Sequence, residues 1–78
     1  MSTNGITEPK RPYRIWDAHK KVHLQGRNYV HKQNAHNAAL IYVRWSRVGE
    51  TLEVYDIRTG RLLGQYTRRL HTIAFQRG

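Results

Sequence analysis

The sequence predicts an α+β fold: a small antiparallel β-sheet of three to five strands with one α-helix, about residues 34–48, packed on one face, in the order β-β-α-β-β with a further strand at the end. Three observations carry this expectation. Residues 51–69, TLEVYDIRTGRLLGQYTRR, read as two strands folded back on each other. Residues 34–48 hold a stripe of small apolar side chains at helical spacing. The chain of 78 residues has no cysteine, so a single core must suffice without disulfides.

Residues 1–12, MSTNGITEPKRP, are polar with two prolines and a glycine, and are expected to form a flexible basic tail ahead of one domain over residues 13–78. Tyr13 and Ile15 then alternate with Arg14 and Trp16, the period of a half-buried strand. Asp17-Ala18-His19-Lys20-Lys21 reads as a turn, after which Val22 and Leu24 resume the alternation until Gln25-Gly26-Arg27-Asn28 breaks it. In the helix, Asn34 is the expected N-cap, and Ala35, Ala38, Ala39, Tyr42, Val43 and Ser46 share a face that Leu40 widens. Gly49 is placed at a left-handed C-cap, and Arg44 and Arg47 in the last turn complement the helix dipole. Tyr42 and Tyr55 are assigned to the core; Trp45, read roughly opposite the Ala38/Ala39/Tyr42 face, and Trp16 are left open between core and contact surface.

The central hairpin pairs Leu52 and Val54, alternating with Glu53 and Tyr55, against a run in which Leu62 and Tyr66 flank Gly64. Asp56 starts its turn and Gly60 supplies a residue free to take positive φ. Ile73 and Phe75 share one face, so His71–Gln76 is expected as a last strand at the sheet edge. The alternative architecture is a small β-barrel with one inserted helix, in which the first and last strands meet.

Fourteen basic residues against five acidic ones leave a net charge of +9, and arginine, whose planar fork suits phosphate oxygens, dominates the basic set. Such a chain needs an acidic partner or merely a soluble surface. The expected contact residues are Arg58, Arg61, Arg68 and Arg69, with Arg44, Arg47, Lys20 and Lys21, and with stacking by Trp16 or Trp45. The reading these support is a non-enzymatic protein binding DNA or RNA. One alternative is an interaction module, an inhibitor or adaptor, that docks its basic face on an acidic protein. A homodimer is a further route by which so small a chain gains buried surface.

A small metal-free ribonuclease, with His71 as acid or base beside Arg68 and Arg69, is the third reading. Metal chemistry has weaker footing. His19-x3-His23 and His31-x4-His36 are spaced like ligand pairs, but there is no cysteine and few carboxylates to complete a site, so no metal or cofactor is expected. Gly60-Arg-Leu-Leu-Gly64 lacks the ending and context of a phosphate loop. No apolar run reaches the ~18 residues of a membrane span. With no signal-like leader and no cysteine, a cytoplasmic location is expected.

The VYDIRTGRLLGQY hairpin resembles the small C-terminal β-barrels of some transposases. The strand–helix–hairpin order at this size is similar to that of compact phage proteins that bind and inhibit host machinery. These likenesses imply a phage-like or mobile-element module and carry no functional residue onto this chain.

Overall fold

The computed structural model describes residues 10–24 and 28–78. Most of the tail assigned to residues 1–12 lies outside the described residues, as does the break at Gln25, Gly26 and Arg27. The elements are β1 (Tyr13–Asp17), β2 (Val22–His23), α1 (Lys32–Arg44), β3 (Thr51–Asp56), β4 (Arg61–Arg68) and β5 (Ile73–Arg77). All five strands form one antiparallel sheet in the order β2-β1-β3-β4-β5. The two edges, β2 and β5, lie apart, so the sheet is open rather than a closed barrel.

Alternation decides which side chains meet the helix. Ile15 opposes Val54, and both are buried with Leu52 under α1. Their neighbours Arg14, Trp16, Glu53 and Tyr55 therefore occupy the other face, which no element covers among the described residues. Tyr55 is half-buried there and donates to Glu53 Oε1 at 3.0 Å, so it is not part of the core. Pro12 is buried, and its carbonyl accepts from Ile57 N at 2.8 Å.

Ala35, Ala39 and Val43, at helical spacing, are the three fully buried positions of α1. Two of the three are alanine, which seats the helix close to the sheet. Its ends differ from the expectation. The helix starts at Lys32, with His31 as an N-cap that makes no side-chain bond, and stops at Arg44. Asn34 is thus inside the first turn, where its N–H donates to His31 O at 3.1 Å. Packing of Ala35 and Ala39 sets the helix register, and that outweighs the capping preference of one asparagine. Gly49 does take positive φ (96°), but in the α1–β3 loop rather than at the helix terminus. Ser46 and Arg47 likewise fall beyond the helix. Tyr42 is 44% exposed, a correction to its assignment to the core: it lies beside Tyr29 at the rim.

On β4 the register slips by one residue: Val54 faces Gly64 while Tyr55 faces Leu62, leaving Leu63 as a bulge that packs against the core. The slip turns Leu62 to the face opposite Gly64. Gly64 is buried, and the rings of Phe75 and His36 lie over it. A Cβ there would come 2.7 Å from Phe75 Cε1 and 3.2 Å from His36 Cε1. The Phe75 ring also leans on Tyr66 at 4.9 Å between centroids. Replacing Gly64 by Ala should therefore cost about 1 kcal/mol by overpacking. Denaturant unfolding measures the loss, and side-chain NMR should show the Phe75 and His36 resonances displaced. An unchanged midpoint with unmoved rings would refute this account of β4.

Candidate nucleic-acid interface

Strand direction gathers three connections at one end of the molecule: the β1–β2 turn, the α1–β3 loop and the β4–β5 turn. Backbone bonds tie them together. Ala18 N donates to Thr51 O at 3.0 Å, Gly49 N to Arg68 O at 2.8 Å, and Arg68 N to Glu50 O at 2.9 Å. This end carries Lys20, Lys21, Arg44, Arg47, Arg68 and Arg69, with His19, His71 and Trp45. Its acidic side chains are Asp17 and Glu50, and both are engaged. Asp17 is 4% exposed and accepts from His19 N and Lys20 N, each at 3.0 Å. Glu50 accepts from Arg47 N at 3.1 Å and lies 3.6 Å from His19 Nε2. Among the described residues, the side chains of Lys20, Lys21, Arg44, Arg47 and Arg69 have no carboxylate within ion-pair distance.

Arg68 has a different task. Its Nη1 donates to Arg44 O at 2.8 Å and its Nε to Arg69 O at 3.0 Å. It thereby satisfies the last carbonyl of α1 from a neighbouring strand, placing a cation at the negative end of the helix dipole. Beside it, a cavity of about 540 Å³ is lined by Arg44, Arg68, Leu70, His71, Thr72 and Ile73. Trp45, the residue that follows α1, stands at this end with 86% of its surface in solvent.

Arg58 and Arg61 lie at the other end, on the β3–β4 hairpin. Arg58 forks onto Asp56, with Nε to Oδ1 at 3.0 Å and Nη2 to Oδ2 at 2.9 Å, and Nη2 also reaches Tyr13 Oη at 3.2 Å. Arg61 is exposed and borders a second cavity with Lys32 and Arg77. Trp16 belongs to the open sheet face, edge-on to His23 at 4.7 Å between centroids. Sequence reasoning thus named these cations and set arginine at both ends of the hairpin, but it missed Lys32, His36 and Arg77 at the second cavity. Strand order brings those three together, and no local spacing announces it.

The two hairpin turns use one device. Asp17 and Asp56 each end a strand, each carboxylate accepts from turn N–H groups, and each carbonyl accepts from the residue four further on. These last bonds are Lys21 N at 2.7 Å and Gly60 N at 2.8 Å. Both closing residues take positive φ, 59° at Lys21 and 72° at Gly60. Only glycine adopts that conformation at no steric cost.

His19, His23, His31 and His36 sit on a turn, a strand, a helix cap and a helix, and among the described residues no three metal-ligating side chains converge. Among the same residues no helix is long and apolar enough to cross a membrane. Comparison with protein-family models, curated proteins and solved structures returns no match to this chain.

Two groups give stability a pH dependence of one sign. Hydrogen bonding from the Arg58 side chain, the largest cause, holds the Asp56 carboxyl below its ordinary pKa, with burial opposing. Burial, then Lys32, holds the His36 imidazole below its own. A depressed folded pKa means that the unfolded chain binds the proton first, so each group's contribution is present at neutral pH and lost as pH falls. The His36 contribution should fade below about pH 6.5, and that of Asp56 below about pH 4. Asp56→Asn should lower the thermal midpoint at pH 7, and the gap from the parent should close in acid. A gap that stays constant across the titration would contradict the Arg58–Asp56 assignment.

Lys21→Gly relieves the strained φ and should raise stability by about 0.5–1 kcal/mol in denaturant unfolding. A loss of stability would show that the lysine side chain holds the turn.

Proposed function

We propose that the protein is a small non-enzymatic nucleic-acid-binding protein whose contact surface is the basic end. The observation that carries this reading is the set Lys20, Lys21, Arg44, Arg47 and Arg69. Four of these cations lie on three adjoining connections and Arg44 ends α1 next to them; none has a carboxylate partner among the described residues, and the exposed Trp45 stands beside them. Like charges held this close destabilise the free protein, and a row of phosphates offsets that repulsion. Arg68 would assist from its capping position. Arg58, engaged by Asp56, holds its hairpin, and Arg61 adds to the field from the far end.

The reading is of binding without cleavage, although His71 on its exposed turn shares the first cavity with Arg44 and Arg68. RNA incubated with the protein should stay intact.

The test is fluorescence anisotropy with labelled single- and double-stranded DNA and RNA over a range of salt. The logarithm of affinity should fall steeply with the logarithm of salt. Lys20→Gln, Arg47→Gln and Arg69→Gln should each reduce that slope by about 0.7–0.9. Arg58→Gln should lower the thermal midpoint and leave the slope largely intact. A flat salt response would remove the reading.

One observation favours a protein partner as the second reading: Ile41, Trp45 and Val48 are exposed apolar residues beside Arg44 and Arg47. That reading predicts capture of one acidic protein after nuclease treatment, with no salt-sensitive binding to nucleic acid.

A further inference from the structure

α1 packs mainly on β1, β3 and β4 and reaches β5 less, so the helix-side surface of β5 is left partly open. Phe75 is 53% exposed there, and Leu70 is exposed in the turn that leads into β5. Two cavities lie along this strip. The one at the basic end takes Arg44 from α1, Arg68 from β4, and His71 and Ile73 from the other wall. The other, of about 460 Å³, takes Lys32 and His36 from α1, Arg61 from β4, and Phe75 and Arg77 from β5. α1 and β5 supply walls to both, so the two cavities follow one another along the helix as a trough in two parts, with no lining residue in common. No Asp or Glu side chain lines either part. At 1.5 Å per residue, α1 gives the trough a length of about 18 Å.

We infer that this trough is a path for single-stranded nucleic acid, with phosphates at its two cationic ends and an unpaired base stacked on Phe75 between them. The inference rests on the nucleic-acid reading above and names the strand type and the route. Charge complementarity selects the ligand class: arginine and histidine stand at both ends, Lys32 joins them at one, and no Asp or Glu side chain lines either cavity. The exposed aromatic ring selects the strand type, because a duplex keeps its base faces stacked inside while a single strand offers one at every step. An acidic peptide supplies the charge without a π-face for each charge. Phe75 is prepared for this contact. Its ring is supported by Tyr66 at 4.9 Å and meets the His36 ring edge-on at 6.2 Å, over the space that Gly64 leaves vacant. At the ~3.4 Å spacing of stacked nucleotides the trough holds about five of them.

The experiment uses the full chain and a short labelled oligothymidylate, compared with a hairpin duplex carrying the same number of phosphates. Phe75→Leu keeps an apolar group over Gly64 and removes the ring, and circular dichroism verifies that it folds. The single strand should bind about tenfold more tightly than the duplex at equal salt, and Phe75→Leu should erase most of that difference. Lys32→Gln combined with Arg77→Gln should reduce the single-strand salt slope by about 1.4. Equal affinity for duplex and single strand, unchanged in all these variants but lost with Arg47→Gln and Arg69→Gln, would overturn the trough and leave the basic end as the interface. Displacement of the oligonucleotide by a polyglutamate peptide of equal charge, at equal concentration, would overturn it in favour of an acidic peptide. Absence of any binding at low salt would defeat the nucleic-acid reading itself.

Discussion

How near α1 can come to the sheet governs the rest of this molecule. Ala35 and Ala39 present one methyl group each, and on β4 Gly64 leaves the space that the rings of Phe75 and His36 occupy. Among the described residues the core cluster comprises six buried side chains, Ile15, Val43, Leu52 and Val54 together with those two alanines. A core this small holds a domain only if its backbones lie close, because each buried methylene contributes about 0.8 kcal/mol. Bulk at either alanine would lift the helix and thin the contact for all six. Among the described residues no Lys or Arg is buried, and basic side chains gather at the two ends and beside β5, while the buried charges are the turn aspartates Asp17 and Asp56.

Charge is therefore not spread evenly, and the arginines divide by task. Arg58 closes its own hairpin on Asp56, and Arg68 bonds the final carbonyl of α1 from the next layer. These two link elements that the core alone would hold loosely. Lys20, Lys21, Arg44, Arg47 and Arg69 have no comparable bond within the described fold, and it is they that make the proposed interface. A chain with a net charge of +9 thus uses part of its arginine to resist the repulsion created by the remainder.

The strands were legible in the sequence because alternation is a local signal. Ile15, Leu52 and Val54 turn inward as their spacing indicates, Gly60 takes the positive φ its turn requires, and Ile73 and Phe75 begin an edge strand. The helix ends were not legible, because docking overrode the capping preference of Asn34. Tyr42 and Tyr55 were misplaced because an aromatic ring in a short chain suggests core, whereas one lies at the rim and the other on the uncovered face. The contact of Arg68 with Arg44 joins residues 24 positions apart, and the gathering of Lys32, Arg61 and Arg77 depends on strand order. Neither leaves a trace in local spacing.

The two margins of the sheet are unequal. β2 is two residues long and gives a neighbouring strand little to pair with, whereas β5 is a five-residue edge with Phe75 exposed beside it. Natural sheets blunt such an edge with charge, and here Arg77 and the net positive charge of the whole chain do so. That safeguard acts at a distance and weakens as the Debye length shrinks to about 3 Å in 1 M salt. The colloidal behaviour of this protein should therefore run opposite to salting-in. Concentrated salt, or a polyanion that neutralises the surface without covering β5, removes the barrier that keeps two such edges from zipping together, so ionic strength sets the limit of its solubility.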